Sequence, residues 1–105
     1  MSNRRDEPRV PVEWRAECKL GANLTQGLVR DVSGGGVFFT PVLPSTNGDD
    51  ARMKVLSFME PGDTVVLTYR PEWREQPMMV LATVQWVGYS HDNEIDGVGL
   101  HFQRD

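Results

Sequence analysis

The chain has 105 residues, a net charge of -4 and an isoelectric point of about 5.1. That length is one domain, long enough to bury a core without disulfides or a metal. The acidic balance argues against a broad binder of duplex nucleic acid. The single cysteine, Cys18, excludes an internal disulfide and points to a reducing cytoplasm.

Residues 1–9 are polar throughout and read as a flexible, ligand-binding arm ahead of a single domain over residues 10–105. They lack the apolar stretch of a signal peptide, and no run in the chain is long and apolar enough for a transmembrane helix. Three of the 11 basic residues, Arg4, Arg5 and Arg9, fall in this arm. A local cationic arm on an acidic body suits a small anionic ligand better than a polymer. Pro8 disfavours helix at Glu7, so the arm is expected to be extended at Arg9.

From Val10 the pattern alternates. Val10, Val12, Trp14, Ala16, Cys18 and Leu20 share one face, with Glu13, Arg15, Glu17 and Lys19 on the other, which predicts a strand with Cys18 in the core. Gly21-Ala22-Asn23 is a turn signal, and Leu24 to Val32 reads as a second strand. A third runs from Val37 to Thr40 and is stopped by Pro41. Residues 41–50 read as loop. Met53, Leu56 and Met59 recur at helical spacing, predicting a short helix over residues 51–59. Strands follow at Thr64–Arg70, Met78–Val87 and Gly97–Gln103, with a polar connection at residues 88–96. Val80, Ala82, Val84 and Trp86 share a face, which places Trp86 in the core in preference to the ligand-facing wall. Thirteen valines against one isoleucine favour β structure. The class is therefore all-β, and six short strands separated by turn signals suggest a small antiparallel barrel.

The stretch Arg30-Asp31-Val32-Ser33-Gly34-Gly35-Gly36-Val37 stands out. Its glycines permit backbone angles closed to other residues and let a ligand approach the main chain. If the strand persists to Ser33, Asp31 and Ser33 project from one face. A carboxylate, a hydroxyl and free backbone N–H groups suit a ligand with an amine edge and a nearby anion. The same residues also fit a tight hairpin capped by its Asp and Ser.

Arg-x-x-x-Arg at residues 5 and 9, followed by Asp-x-Ser-x-x-Gly at residues 31–36, resembles the PilZ domain, a receptor for the bacterial second messenger cyclic di-GMP. Gly97-Val98-Gly99-Leu100-His101-Phe102 looks like that family's closing strand, and the likeness runs from about Arg4 to Phe102. It implies a six-stranded barrel, although many members carry a C-terminal helix for which a chain ending at Asp105 leaves no room. It further implies that Arg5 and Arg9 hold the ligand as the arm folds over it, which suits forked guanidinium groups that pair with phosphate or guanine and stack on purines. Asp31 would accept from guanine N1–H and the exocyclic amine. Ser33 would add a polar contact, and Gly36 would leave room. Arg4, directly before the pair, implies two stacked cyclic di-GMP molecules per chain, because the doubled phosphate charge needs a further cation. Arg5, Arg9 and Asp31 are expected to be exposed before ligand binds.

No nucleophile–base set or Cys/His cluster is present, so neither an enzyme nor a metal or cofactor site is expected. Asp92-x-Glu94-x-Asp96-Gly97 imitates a calcium loop, but its last ligand position falls on Gln103, so it reads as a solvated turn. Asn23-Leu24-Thr25 matches a glycosylation sequon in a chain with no sign of secretion, and the glycine triplet lacks the ending of a phosphate-binding loop. The expected function is a cytoplasmic cyclic di-GMP receptor that orders its arm on binding and signals to an unidentified protein partner, with no DNA or RNA partner and no membrane segment. The alternatives are a PilZ-like adaptor that binds no nucleotide and a small nucleic-acid-binding barrel.

Overall fold

The computed structural model describes residues 8–42 and 48–103. The elements are β1 (Val10–Leu20), β2 (Asn23–Val32), β3 (Gly36–Pro41), α1 (Gly48–Leu56), β4 (Thr64–Tyr69), β5 (Met78–Ser90) and β6 (Ile95–Phe102). The strands pair antiparallel in the order β1-β2-β3-β6-β5-β4, and β4 returns to β1 to close a barrel. Closure leaves no sheet edge to protect. The expected all-β, six-stranded antiparallel barrel is thus the observed one.

Alternation along the strands fills the barrel. Trp14, Ala16 and Cys18 of β1 meet Val29 of β2, Val37 and Phe39 of β3, Val65 and Leu67 of β4, Ala82 and Val84 of β5, and Val98 and Leu100 of β6. Cys18 is core as expected, and burial pushes its thiol up to about 11, so it stays protonated and unreactive. Val10 departs from its predicted face. It is exposed, lying before the register irregularity between Pro11 and Trp14.

The helix spans Gly48–Leu56 rather than residues 51–59. After Leu56 the chain tightens, with Phe58 N–H donating to Val55 O and Met59 N–H to Leu56 O. These three-residue steps end the α-helical ladder, a common way for a last turn to finish. Leu56 and Met59 join the core, whereas Met53, placed by spacing on the same stripe, is exposed.

Two further irregularities set which side chains face outward. Opposite β3, the register of β2 slips between Val29 and Asp31, so Arg30 is the extra residue. Opposite β6, the register of β5 slips between Val84 and Trp86, so Gln85 is extra. A bulge restarts the alternation one residue late. Val84 and Val87 therefore both point inward, and Trp86 points out. The expectation of a core Trp86 is corrected by this bulge: the indole lies half-buried on the outer wall and is absent from the core cluster.

Phe39 is fully buried in the core and Met79 is 71% exposed on the outside of β5. Phe39→Ala is expected to lower the unfolding free energy by about 3–5 kcal/mol, and Met79→Ala by no more than about 0.5 kcal/mol. Urea denaturation monitored by tryptophan fluorescence checks both; equal losses would contradict this assignment of inside and outside.

Candidate functional site

The outer wall carries a row of register partners across four strands. Asp31 of β2 pairs with Phe38 of β3, Phe38 with Gly99 of β6, and Gly99 with Trp86 of β5. The Arg30 and Gln85 bulges bring the two ends of this row to the same side. In the middle, the Phe38 and Trp86 rings stack 5.5 Å apart with planes 16° from parallel. Gly99 makes room for this, because a Cβ there would run into the indole of Trp86. Phe38 is fully buried although it faces away from the core. It is the foundation on which Trp86 rests.

Asp31 is 5% exposed, so the expectation that it stands free in solvent is corrected. Its neighbours explain why a carboxylate can sit there. Arg9 Nη1 lies 3.4 Å from Oδ1 and 3.5 Å from Oδ2, and Asn93 Nδ2 donates to Oδ2 at 2.8 Å. A buried charge is tolerated only when paired and hydrogen-bonded. Arg9 is likewise half-buried rather than free.

The turn after Asp31 is held by its own polar groups. Ser33 N–H donates to Gly36 O at 2.9 Å, Ser33 Oγ to the same carbonyl at 3.5 Å, and Gly35 N–H to Ser33 Oγ at 3.4 Å. Strand β2 ends at Val32, so Ser33 does not continue the face that carries Asp31. Of the two residues expected to cap the turn, Ser33 does so and Asp31 does not. The glycines also work differently from expectation: none of Gly34, Gly35 and Gly36 has a positive φ. Gly36 is needed for close approach, because a Cβ there would strike the Leu100 carbonyl of β6. The structure thus brings Arg9 and Asp31 into contact and sets the Ser33–Gly36 turn next in the chain. Arg4 and Arg5 lie outside the described residues.

Asn93 was not foreseen. It sits in the β5–β6 hairpin, where the sequence predicts a solvated turn. Ser90 closes that hairpin: its Oγ accepts from Asn93 N–H at 3.2 Å and Asn93 Nδ2 at 3.1 Å, and its carbonyl accepts from Glu94 N–H at 2.6 Å. Glu94 takes the left-handed conformation, with φ of 58°. No local signal announces the contact with Asp31, because the partners are 62 positions apart in sequence.

No group of three or more His, Cys, Asp and Glu side chains among the described residues could hold a metal. Among those residues, no helix is long and apolar enough to cross a membrane.

The PilZ domain family model matches residues 3–105, and the chain belongs to that family. PilZ domains are receptor and adaptor domains. Among curated proteins none matches the chain. Solved structures share the fold at low sequence identity. The inhibitor of motility MotI/DgrA from Bacillus subtilis superposes with a TM-score of 0.66 at 14% identity, covering 98% of this chain and 44% of that one. The PilZ domain of YcgR from Escherichia coli with c-di-GMP gives 0.66 at 13% identity, covering 97% of this chain and 79% of that one. The MrkH–c-di-GMP complex of K. pneumonia gives 0.62 at 15% identity, covering 98% of this chain and 46% of that one. The chain therefore spans less than half the length of two of these structural relatives.

Because Asp31 is buried and paired, Asp31→Ala should affect the fold as well as any ligand. Losing hydrogen bonds to a charged group is expected to lower stability by about 1.5–3 kcal/mol. Denaturant midpoints of wild type and variant measure this; an unchanged midpoint would show that the Arg9–Asp31–Asn93 set does not hold the native state.

Proposed function

We propose that this domain is a cytoplasmic cyclic di-GMP receptor, acting without a cofactor or metal and performing no chemistry on its ligand. The reading is carried by one observation. A buried, outward-facing carboxylate and a tryptophan face end the same row of the barrel wall, beside a glycine-rich turn. Membership of the PilZ family supports it, as do the two structural relatives whose structures contain c-di-GMP. Asp31 accepts from guanine N1–H and the exocyclic amine, a pattern adenine lacks. Ser33 offers a polar contact, and Gly36 keeps the turn close to the wall. Arg5 and Arg9 take the phosphates. Trp86 offers its outer face to a purine, a contact worth about 1–3 kcal/mol per base.

In this mechanism Arg9 changes partner. At 3.4–3.5 Å its contacts with Asp31 are longer than the roughly 2.7–2.9 Å of a strong charge-assisted bond. Arg9 is the more exposed partner of the pair, so it can turn away once another donor covers the buried carboxylate. Guanine can therefore take the carboxylate while Arg9 turns to a phosphate at small cost. Residues 1–9 order over the ligand, and the altered arm is what a protein partner reads.

One observation favours a second reading, a nucleotide-free adaptor: Arg9 and Asp31 pair with each other within the chain. Calorimetry separates the two. Cyclic di-GMP should bind and cyclic di-AMP should bind far more weakly. Arg5→Ala, Arg9→Ala, Asp31→Ala and Trp86→Ala should each weaken binding by roughly tenfold. Absence of binding by the folded wild type, or wild-type affinity in all four variants, would overturn the receptor reading. Amide exchange over residues 2–9 should slow on adding ligand.

Stoichiometry tests Arg4. Two stacked ligands double the phosphate charge and call on Arg4 as a further cation. The wild type should therefore take two cyclic di-GMP per chain and Arg4→Leu one. One ligand in both proteins would refute a role for Arg4.

A further inference from the structure

We infer that Asn93 is a positioning residue that fixes the rotation of the Asp31 carboxylate, so that both of its oxygens meet a guanine edge. This rests on the reading of Asp31 as the guanine contact.

An aspartate has no strong rotational preference of its own at its terminal torsion, which is broad and two-fold. Reading two neighbouring donors on a base nevertheless requires both oxygens to lie in the plane of that base. Something must therefore set the torsion. Arg9 does not. Its Nη1 is nearly equidistant from the two oxygens, 3.4 Å from Oδ1 and 3.5 Å from Oδ2, so it supplies charge without choosing an orientation. Asn93 does choose, because Nδ2 donates at 2.8 Å to Oδ2 alone. The amide must present its NH₂ to Asp31, since an ionised carboxylate only accepts.

Asn93 is itself held. Its amide and its backbone N–H both donate to Ser90 Oγ, at 3.1 and 3.2 Å, and Ser90 is buried. The hairpin from which it reaches is fixed by the left-handed Glu94 and by the Glu94 N–H bond to Ser90 O. Orientation thus passes from the β5–β6 hairpin through Ser90 and Asn93 to a carboxylate on β2. Each carboxylate oxygen can accept two bonds, so Oδ2 keeps capacity for a base N–H while Asn93 stays in place. Unlike Arg9, Asn93 has no need to leave when ligand arrives.

The test compares cyclic di-GMP with cyclic di-IMP, whose hypoxanthine keeps N1–H but lacks the exocyclic amine. Calorimetric titrations of wild type, Asn93→Ala and Asn93→Leu give the affinity ratio between these ligands. The ligands carry equal charge, so any general electrostatic change cancels in the ratio. Asn93→Leu keeps the approximate shape, removes the donor and adds no second carboxyl that could share a proton with Asp31, and it carries the test should Asn93→Ala fail to fold. A site built around both donors rejects the ligand missing one, so wild type should favour cyclic di-GMP by roughly tenfold or more. Both variants should bring the ratio towards one while remaining folded by amide NMR. A wild type that binds and discriminates, with variants that keep the full ratio, would overturn the role of Asn93 and leave the receptor reading standing. A folded wild type that binds neither ligand would overturn both.

Discussion

In a closed barrel, each strand position has one of two fates, and a single inserted residue exchanges them for everything downstream. The outer wall of this domain depends on that constraint. Without the extra residue at Arg30, β2 could not send Val29 inward, Asp31 outward and Val32 inward again. Without the extra residue at Gln85, Trp86 would follow Val84 into an interior already filled by Val98, Leu100 and Phe39. Two insertions on strands separated by β3 and β6 are in phase, and so the carboxylate and the indole face the same side. Bulges occur often beside functional sites because they redirect one side chain without altering the rest of the sheet.

The wall between those side chains is built for close approach. Phe38 fills the outer side of β3 as completely as Phe39 fills the inner side, and both are inaccessible. An outward phenylalanine is stable only if something covers it. Here the cover is Trp86, stacked over it where Gly99 presents no side chain. On the other flank, Gly36 lets β3 begin hard against the Leu100 carbonyl. Glycines in this region are thus explained by what lies against them, in contrast to Gly21 and Gly62, which adopt positive φ in turns.

Much of this was legible in the sequence. Period-two alternation gave β1 from Val12 onward, the inner face of β5 as far as Val84, and hence an antiparallel barrel. The residues Asp31, Ser33 and Gly36 were visible from their spacing. What could not be seen depends on pairing register. A bulge has no side-chain signature of its own, so alternation carried past Gln85 assigns Trp86 to the wrong side. The burial of Asp31 was hidden for a related reason, because its partners come from the arm before β1 and from the β5–β6 hairpin. The acidic residues around Asn93 look like a solvated turn because Asp92 and Glu94 are exposed, whereas Asn93, the third residue after Ser90, turns back to the barrel.

The polar groups around Asp31 form a hierarchy that follows from burial. A carboxylate at 5% exposure needs both a countercharge and directed hydrogen bonds. One residue supplying both would hold it tightly and would be costly to displace. Here the two needs are met separately. Arg9, partly exposed and at long range, neutralises the charge and can be exchanged for another donor. Asn93, neutral and anchored by Ser90, supplies the short directed bond without adding a second charge beside the carboxylate. The carboxylate is thereby held by one short, neutral, directed bond and one longer contact to a charge, and of these two Arg9 is the weaker partner.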